Sequence, residues 1–286
     1  MADQRVAVVT GASRGAGRGI AIALGQAGYT VYVTGRTLKE GEAALPGTIG
    51  ETAAEVTKAG GKGIAVRVDH TNDAETKALF ERVETEQGRV DILVNNVAHI
   101  GDELIQPGGF WEKTLDLAKI LDVGLRSQYI ASYYAAPIMV RQKKGLIVFT
   151  SSFGSVCYMH GPAYGAQKAG VDKFAADMAV DFKEHNVAAV SIWMGMLLTE
   201  RSRKAIKEHP ETYGQLAEMA ETPEYTGHVI AQMADDPDIM SLSGQTVIGA
   251  EIAPDRYGLT DAGGKKPISH RPFLGDPRVA HPAVIR

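Results

Sequence analysis

The chain has 286 residues, of which 44% are hydrophobic, 22% charged and 7% aromatic, a globular composition too apolar for a disordered protein. One cysteine, Cys157, excludes an internal disulfide framework and a cysteine-based zinc site. A net charge of −4 gives no pull toward nucleic acid or an anionic membrane.

The first residues carry an acid at position 3 and no long apolar run, so they do not read as a secretion signal. The most apolar stretch, 187–198, has 12 residues and is too short to span a bilayer. These features predict a cytoplasmic protein. Glycine is the deviation: the 32 glycines make up about 11% of the chain, against a usual value of about 7%.

In chain order, short β-branched runs at 5–10, 30–34, 64–69, 90–95, 145–150, 187–193 and 245–248 read as strands. Most are apolar on both faces, as parallel strands covered by helices on either side should be. Helical patterns lie between them at 18–27, 51–59, 74–87, around 116–142 and at 164–185. Sustained alternation of this kind predicts an α/β fold: one Rossmann-type, doubly wound parallel sheet of seven strands with helices on both faces. The expected boundaries are a single domain over 1–250 and a C-terminal extension over 251–286. That extension is marked by prolines at 267, 272, 277 and 282 and is expected to pack on the body or on a partner subunit.

The first strand runs into Thr10-Gly11-Ala12-Ser13-Arg14-Gly15-Ala16-Gly17, and a helix pattern follows. Gly11 permits the tight turn, Gly15 lets a phosphate reach the backbone, and Gly17 brings the helix close to the sheet. The helix N-terminus then offers unpaired N–H groups and a partial positive charge to a pyrophosphate. Ser13 and Arg14 lie within this turn and are candidate cofactor contacts with it.

The G-x-x-x-G-x-G spacing resembles the short-chain dehydrogenase/reductase family. Further family marks follow in order: Asn95-Asn96-Val97-Ala98 at the end of the fourth strand, Ser151 closing the fifth, Tyr164-x-x-x-Lys168 beginning 13 residues later, and Gly195 with Thr199. The resemblance covers roughly residues 5–250. It implies a nicotinamide cofactor held by the glycine turn, Asn95, Val97, Tyr164, Lys168, Gly195 and Thr199, and it places Asp69 where the family bonds adenine.

The second strand ends in Val33-Thr34-Gly35-Arg36 with no acid to accept a ribose 2′-hydroxyl. Arg36, with Arg14 approaching from the other side, suits a 2′-phosphate and predicts NADP(H).

Tyr164 and Lys168 are one helical turn apart, on a helix whose apolar stripe is Val171, Phe174, Ala175, Met178 and Phe182. A phenol with a pKa near 10 is a poor catalyst at neutral pH, and a nearby ammonium should lower it. Tyr164 would then act as general acid or base on a carbonyl or alcohol, with Ser151 polarising the same oxygen. Ser152 is adjacent; the spacing to Tyr164 and Gly154 three residues on select Ser151. By the resemblance, Lys168 also binds the nicotinamide ribose.

Departures from the family pattern matter. Gly124 stands where the family has an asparagine whose backbone holds a water linking the lysine to solvent, and Met194 replaces a proline. Residues 122–126, 191–193 with Thr199-Glu200, and 241–244 followed by 256–259 together resemble one subgroup of the family that also has glycine at that position. The chain therefore reads as an NADP(H)-dependent carbonyl/alcohol oxidoreductase. The alternative is a catalytically weak or inactive NADP(H)-binding sensor or regulatory protein of the same fold, which Gly124 favours and Ser151, Tyr164 and Lys168 oppose.

Residues expected at the substrate are His99, Ile100, Phe153, Tyr158, Met159 and 196–201. They are largely apolar, which suggests an apolar carbonyl compound. No metal site is expected, since His99, His160 and His185 lack ligand spacing. The helices around 116–142 and 164–185 form the usual dimer face of the family, which predicts a homo-oligomer, a dimer or tetramer.

Overall fold

The computed structural model describes residues 4–286. Seven strands, β1 (Val6–Val9), β2 (Thr30–Gly35), β3 (Lys62–Arg67), β4 (Ile92–Asn95), β5 (Gly145–Ser151), β6 (Val187–Trp193) and β7 (Thr246–Ile248), form one parallel sheet in the order β3-β2-β1-β4-β5-β6-β7. Each strand lies at the predicted place, displaced by at most two residues at its ends.

The alternation of side chains explains why these runs have no polar face. In β1, Ala7 and Val9 enter a core with α1 and α9, while Val6 and Val8 enter a second core with α3, α5 and α6. Both faces are buried, so both must be apolar.

The helices are α1 (Gly15–Gln26), α2 (Ile49–Lys58), α3 (Asp73–Gln87), the short α4 (Lys119–Leu121), α5 (Ser127–Gln142), α6 (Pro162–Phe182), α7 (Glu200–Glu208), α8 (Pro210–Met219), α9 (Pro223–Asp235), α10 (Gly249–Tyr257) and the single turn α11 (Arg271–Leu274). The expected helix around 116–142 is real but not uniform. A π-helical turn, Asp122–Arg126, joins α4 to α5, with Gly124 at its centre.

The helices from α7 onward have no counterpart in the sequence-based expectation. α7 buries none of its residues and so shows no apolar stripe. Pro210 and Pro223 begin α8 and α9, where a missing N–H costs nothing.

Part of the glycine surplus belongs to the contact of α1 with α9. A Cβ on Gly19 would lie 2.4 Å from Pro223 Cβ, and one on Gly227 would lie 2.6 Å from Ala23 Cβ. The two helices pack backbone to backbone because neither has a side chain there.

Position 250 falls inside α10, so the chain crosses it within a helix. The following segment then folds back onto the body. The Arg271 guanidinium makes hydrogen bonds to both Glu251 carboxylate oxygens, at 2.8 and 2.6 Å. Its neighbour His270 meets Phe153 edge-on with ring centroids 6.0 Å apart, and Leu274 packs against the Phe153–Trp193 cluster.

The strand order reverses between β1 and β4, and the crevice beyond their carboxyl ends is where such sheets take ligands. The glycine turn after β1 and the Asn95–Val97 segment after β4 both open onto it.

Candidate active site

The turn and the β4 segment are laced together by Thr10. Its hydroxyl oxygen accepts from the backbone N–H of Asn96 at 2.9 Å and of Val97 at 3.1 Å, and Asn96 Nδ2 donates back to the Thr10 carbonyl at 2.9 Å. Gly11 has φ +66°, and a Cβ there would sit 2.7 Å from Val97 Cα. Gly17 lies so close beneath that a Cβ would stand 2.4 Å from the Gly11 carbonyl oxygen. A Cβ at either place would collide with the neighbouring backbone, so the close packing of turn, β4 segment and helix requires glycine at both.

Arg14 donates to the carbonyls of Pro46 at 3.0 Å and Gly47 at 2.7 Å and to the Thr37 hydroxyl at 3.1 Å. Ser13 is buried beneath this arrangement. Arg36 is exposed at the end of β2, on the rim of a cavity of about 570 Å³ shared with Thr71, Lys119, Val123 and Arg126. Asp69 turns its carboxylate to the Thr71 backbone N–H at 3.0 Å and hydroxyl at 2.7 Å.

Asn95 is fully buried. Its Nδ2 donates to Ser132 Oγ at 2.9 Å while its Oδ1 has no partner in the structure. The glycine cradle, this orphaned acceptor and a basic β2 end without an acid fit a nicotinamide dinucleotide.

On the other side of the crevice, Tyr164 OH lies 3.0 Å from the hydroxyl oxygen of Ser152. Ser151, expected to face it, is fully buried, and its hydroxyl donates to the Lys168 carbonyl at 3.3 Å. The correction has a simple cause. Ser151 is the last residue of β5 and pairs with Trp193 of β6, while the next residue points the opposite way as the chain leaves the sheet. Gly154 donates its backbone N–H to Ser152 Oγ at 3.3 Å, which leaves the hydroxyl proton free to be given away.

Lys168 is buried, and its Nζ donates to the Thr150 carbonyl at 3.1 Å, 5.4 Å from the centre of the Tyr164 ring. Burial pushes its pKa down to about 8, against an opposing pull from Asp172 one turn further along α6. Asp172 is itself fixed by Ser191 Oγ at 2.5 Å and Trp193 Nε1 at 2.9 Å. Burial likewise pushes the Tyr164 phenol up, opposed by its hydrogen bond with Ser152. The protein alone therefore does not produce the lowered phenol pKa expected from Lys168.

Gly124, in the π-helical turn, presents its carbonyl to Gln167 Nε2 at 2.9 Å, beside Lys168 in sequence. A Cβ at Gly124 would lie 3.0 Å from Gln167 Cγ, so the glutamine occupies the space an asparagine side chain would need.

Beyond β6, Gly195 donates to Glu221 Oε1 at 3.3 Å. Glu221 is buried with its other carboxylate oxygen unpartnered, and burial pushes its pKa up to about 7. Thr199 caps α7, and the next residue, Glu200, accepts the Gly15 backbone N–H at 2.8 Å.

Of the expected substrate-side residues, Phe153 is buried against Trp193, Met159 packs at the edge of that cluster, and Tyr158 is exposed. His99 pairs with Asp116 at 3.0 Å, and Arg201 pairs with Asp102 at the same distance.

Sequence reading did not select Ser152 as the facing hydroxyl or single out Glu221, and it expected Glu200 at the substrate with 196–201 rather than on the Gly15 N–H. Strand alternation could have pointed to Ser152. Nothing local marks Glu221, which a parallel bridge between Leu197 and Glu221 brings under the loop.

Comparison with known proteins identifies the family and the fold. Residues 5–210 match the family model for short chain dehydrogenases. The human protein dehydrogenase/reductase SDR family member 1 is 41% identical over 273 residues, covering 91% of this chain and 84% of that one. A 3-oxoacyl-[acyl-carrier-protein] reductase from Synechocystis is 29% identical over 85% of this chain and 94% of its own. A crystal structure from Sinorhizobium meliloti assigned to the short-chain alcohol dehydrogenases superposes with a TM-score of 0.72 at 25% identity, covering 86% of this chain and 94% of that one.

Proposed function

The chain belongs to the short-chain dehydrogenase/reductase family, and from that premise we propose that it is an NADP(H)-dependent oxidoreductase interconverting a ketone or aldehyde and an alcohol. The observation that carries this reading is the 3.0 Å contact of Ser152 with Tyr164, with buried Lys168 one turn along the same helix, across the crevice from the glycine turn.

Gly11, Ser13, Arg14, Gly15 and Gly17 would hold the pyrophosphate side of the cofactor and Arg36 its 2′-phosphate. Asp69 would meet the adenine; Asn95, Val97, Gly195 and Thr199 would meet the nicotinamide half. The bound nicotinamide would supply or accept the hydride.

The chain's own part is proton handling and orientation. Ser152 donates its free proton to the substrate oxygen and holds it against Tyr164, whose phenol gives a proton to that oxygen on reduction and takes it back on oxidation. Lys168 places a positive charge behind the phenol and favours the phenolate left after the proton is given. Met159 and Leu274, partly buried at the edge of the Phe153–Trp193 cluster, would offer apolar surface to a carbonyl compound with a hydrophobic body.

Half-exposed Tyr129 and largely exposed Tyr133 on α5 offer an apolar face for a second copy, and we expect a dimer or tetramer built on α5 and α6. The lone cysteine suits a reducing cytoplasm. No helix among the described residues is long and apolar enough to cross a membrane.

The test is NADPH consumption against a panel of apolar ketones and aldehydes, read by the loss of reduced-nicotinamide absorbance. Tyr164→Phe should abolish turnover and keep NADPH affinity within about twofold. A wild-type protein that binds NADPH but turns over no carbonyl or alcohol would be a nucleotide sensor instead.

A further inference from the structure

The amino end of α1 already has an anion on it. Gly15 is the first residue of α1, so its N–H has no partner within the helix, and Arg14 before it gives no side-chain cap. The partner is Glu200, whose Oε2 accepts that N–H at 2.8 Å while its Oε1 lies 4.0 Å from Arg18 Nη1. Glu200 also acts electrostatically on Arg14. Its carboxylate thus sits on the helix end with Arg18 at the edge of ion-pair distance, and Arg14 adds a longer-range attraction. These are the groups that a glycine-rich turn at a helix N-terminus offers to a phosphate.

Glu200 is brought there by its own segment. Thr199 caps α7 through the Ser202 backbone N–H at 3.3 Å, so Glu200 stands at the first helical position, beside the methyl of Thr199 that faces Gly15. α7 buries no residue. It is tied to the body by polar contacts, chiefly Glu200 to Gly15 and Arg201 to Asp102 at 3.0 Å and to the Ile100 carbonyl at 3.2 Å.

We infer that Glu200 is the resident anion of the phosphate seat, and that a pyrophosphate group binds by taking its place on the Gly15 N–H. The proposal rests on the NADP(H) reading for the identity of the natural ligand. Glu200 is then an affinity-setting residue for the cofactor. Its displacement frees the first turn of α7, so occupancy of the phosphate seat changes how the segment beyond the nicotinamide loop is held.

The test uses the full-length protein and two probes, NADPH followed by its fluorescence and inorganic pyrophosphate followed by calorimetry. Glu200→Gln removes the charged competitor and should tighten both by about tenfold, the effect of losing one charge-assisted hydrogen bond. Glu200→Asp keeps the charge but shortens the side chain by one methylene, so that it no longer reaches Gly15. It should tighten binding in the same direction, whereas a simple long-range repulsion would leave it at the wild-type value.

Glu208→Gln, the same charge change at the far end of α7, should leave both affinities unchanged. Pyrophosphate affinities that are equal in wild type, Glu200→Gln and Glu200→Asp, or weaker in the variants, would overturn the proposal whatever NADPH does. Tighter pyrophosphate binding in a protein that ignores NADPH would uphold it and overturn the cofactor reading instead.

Discussion

The hydroxyl of Ser152 and the phenol of Tyr164 stand 3.0 Å apart, although Ser152 leaves the end of β5 and Tyr164 sits in the first turn of α6. The neighbouring Ser151 has its hydroxyl on the Lys168 backbone instead. Two adjacent serines therefore do separate work, one facing the crevice and one fastening α6 to the sheet.

Replacing them should separate those effects. Ser152→Ala should lower kcat by about 10²–10³-fold with NADPH affinity preserved, as for loss of one donor to a developing oxyanion. Ser151→Ala should leave kcat nearly intact and cost about 1 kcal/mol of stability, the worth of one buried hydrogen bond. Steady-state kinetics and denaturant melts on both variants decide; the reverse pattern would return the polarising role to Ser151.

Cofactor choice should hinge on Arg36 more than on Arg14. Arg36 is exposed and free to turn to a phosphate, whereas Arg14 is held by the carbonyls of Pro46 and Gly47. Arg36→Asp should weaken NADPH by about 10–100-fold, equivalent to about 1.5–3 kcal/mol, and improve NADH. The ratio of the two kcat/KM values measures it, and an unchanged ratio would remove Arg36 from the 2′-phosphate site.

Lys168 should be costly to the fold. Its folded pKa is lowered from 10.5 to about 8, so the unfolded chain binds the extra proton between those values and stability rises with pH across that window. Below pH 8 the native state carries the full cost of a buried ammonium. Lys168→Met should therefore abolish turnover yet melt higher at pH 7, by up to about 3 kcal/mol of stability, with the gap closing toward pH 10.5. A variant that melts lower at pH 7 would mean that the bond to the Thr150 carbonyl outweighs desolvation.

Glu221 behaves in the opposite sense along the pH axis. Its folded pKa of about 7 lies above the ordinary 4.5, so the native state holds a proton that the unfolded chain has released, and stability falls as pH rises from 4.5 to 7. Glu221→Gln should match wild type near pH 4.5 and exceed it above pH 7 by about 3 kcal/mol at most. Urea melts at pH 5 and pH 8 test this; a difference independent of pH would place the ionised form in the native state throughout.

What could be read in advance follows from what is local. The seven strands were legible because Val6, Val8, Ala7 and Val9 and their counterparts must be apolar on both faces. Gly11, Gly15 and Gly17 were legible because a tight turn from strand into helix constrains the backbone itself. Tyr164 and Lys168 were legible because a helix fixes their separation. Ser151 was chosen over Ser152 by spacing, which cannot say where a strand ends and so which face a residue takes.

α7 was invisible because its contacts are polar and distant, with Glu200 reaching Gly15 and Arg201 reaching Asp102. The raised pKa of Tyr164 was also beyond the sequence, because burial, its largest cause, is a property of the assembled site.

The π-helical turn at Asp122–Arg126 makes shape and chemistry separable by a single deletion. Such a turn is a bulge that holds one residue more than the α-helical ladder requires. Deleting Gly124 would let the ladder close while Lys119–Leu121 and Ser127–Gln142 keep their faces in phase, so Ser132 would still reach Asn95. The shortened chain should fold and bind NADPH as before, and lose the Gly124 carbonyl to which Gln167 donates. For this helix, the loss of one residue would edit a single contact rather than shift the frame of the fold.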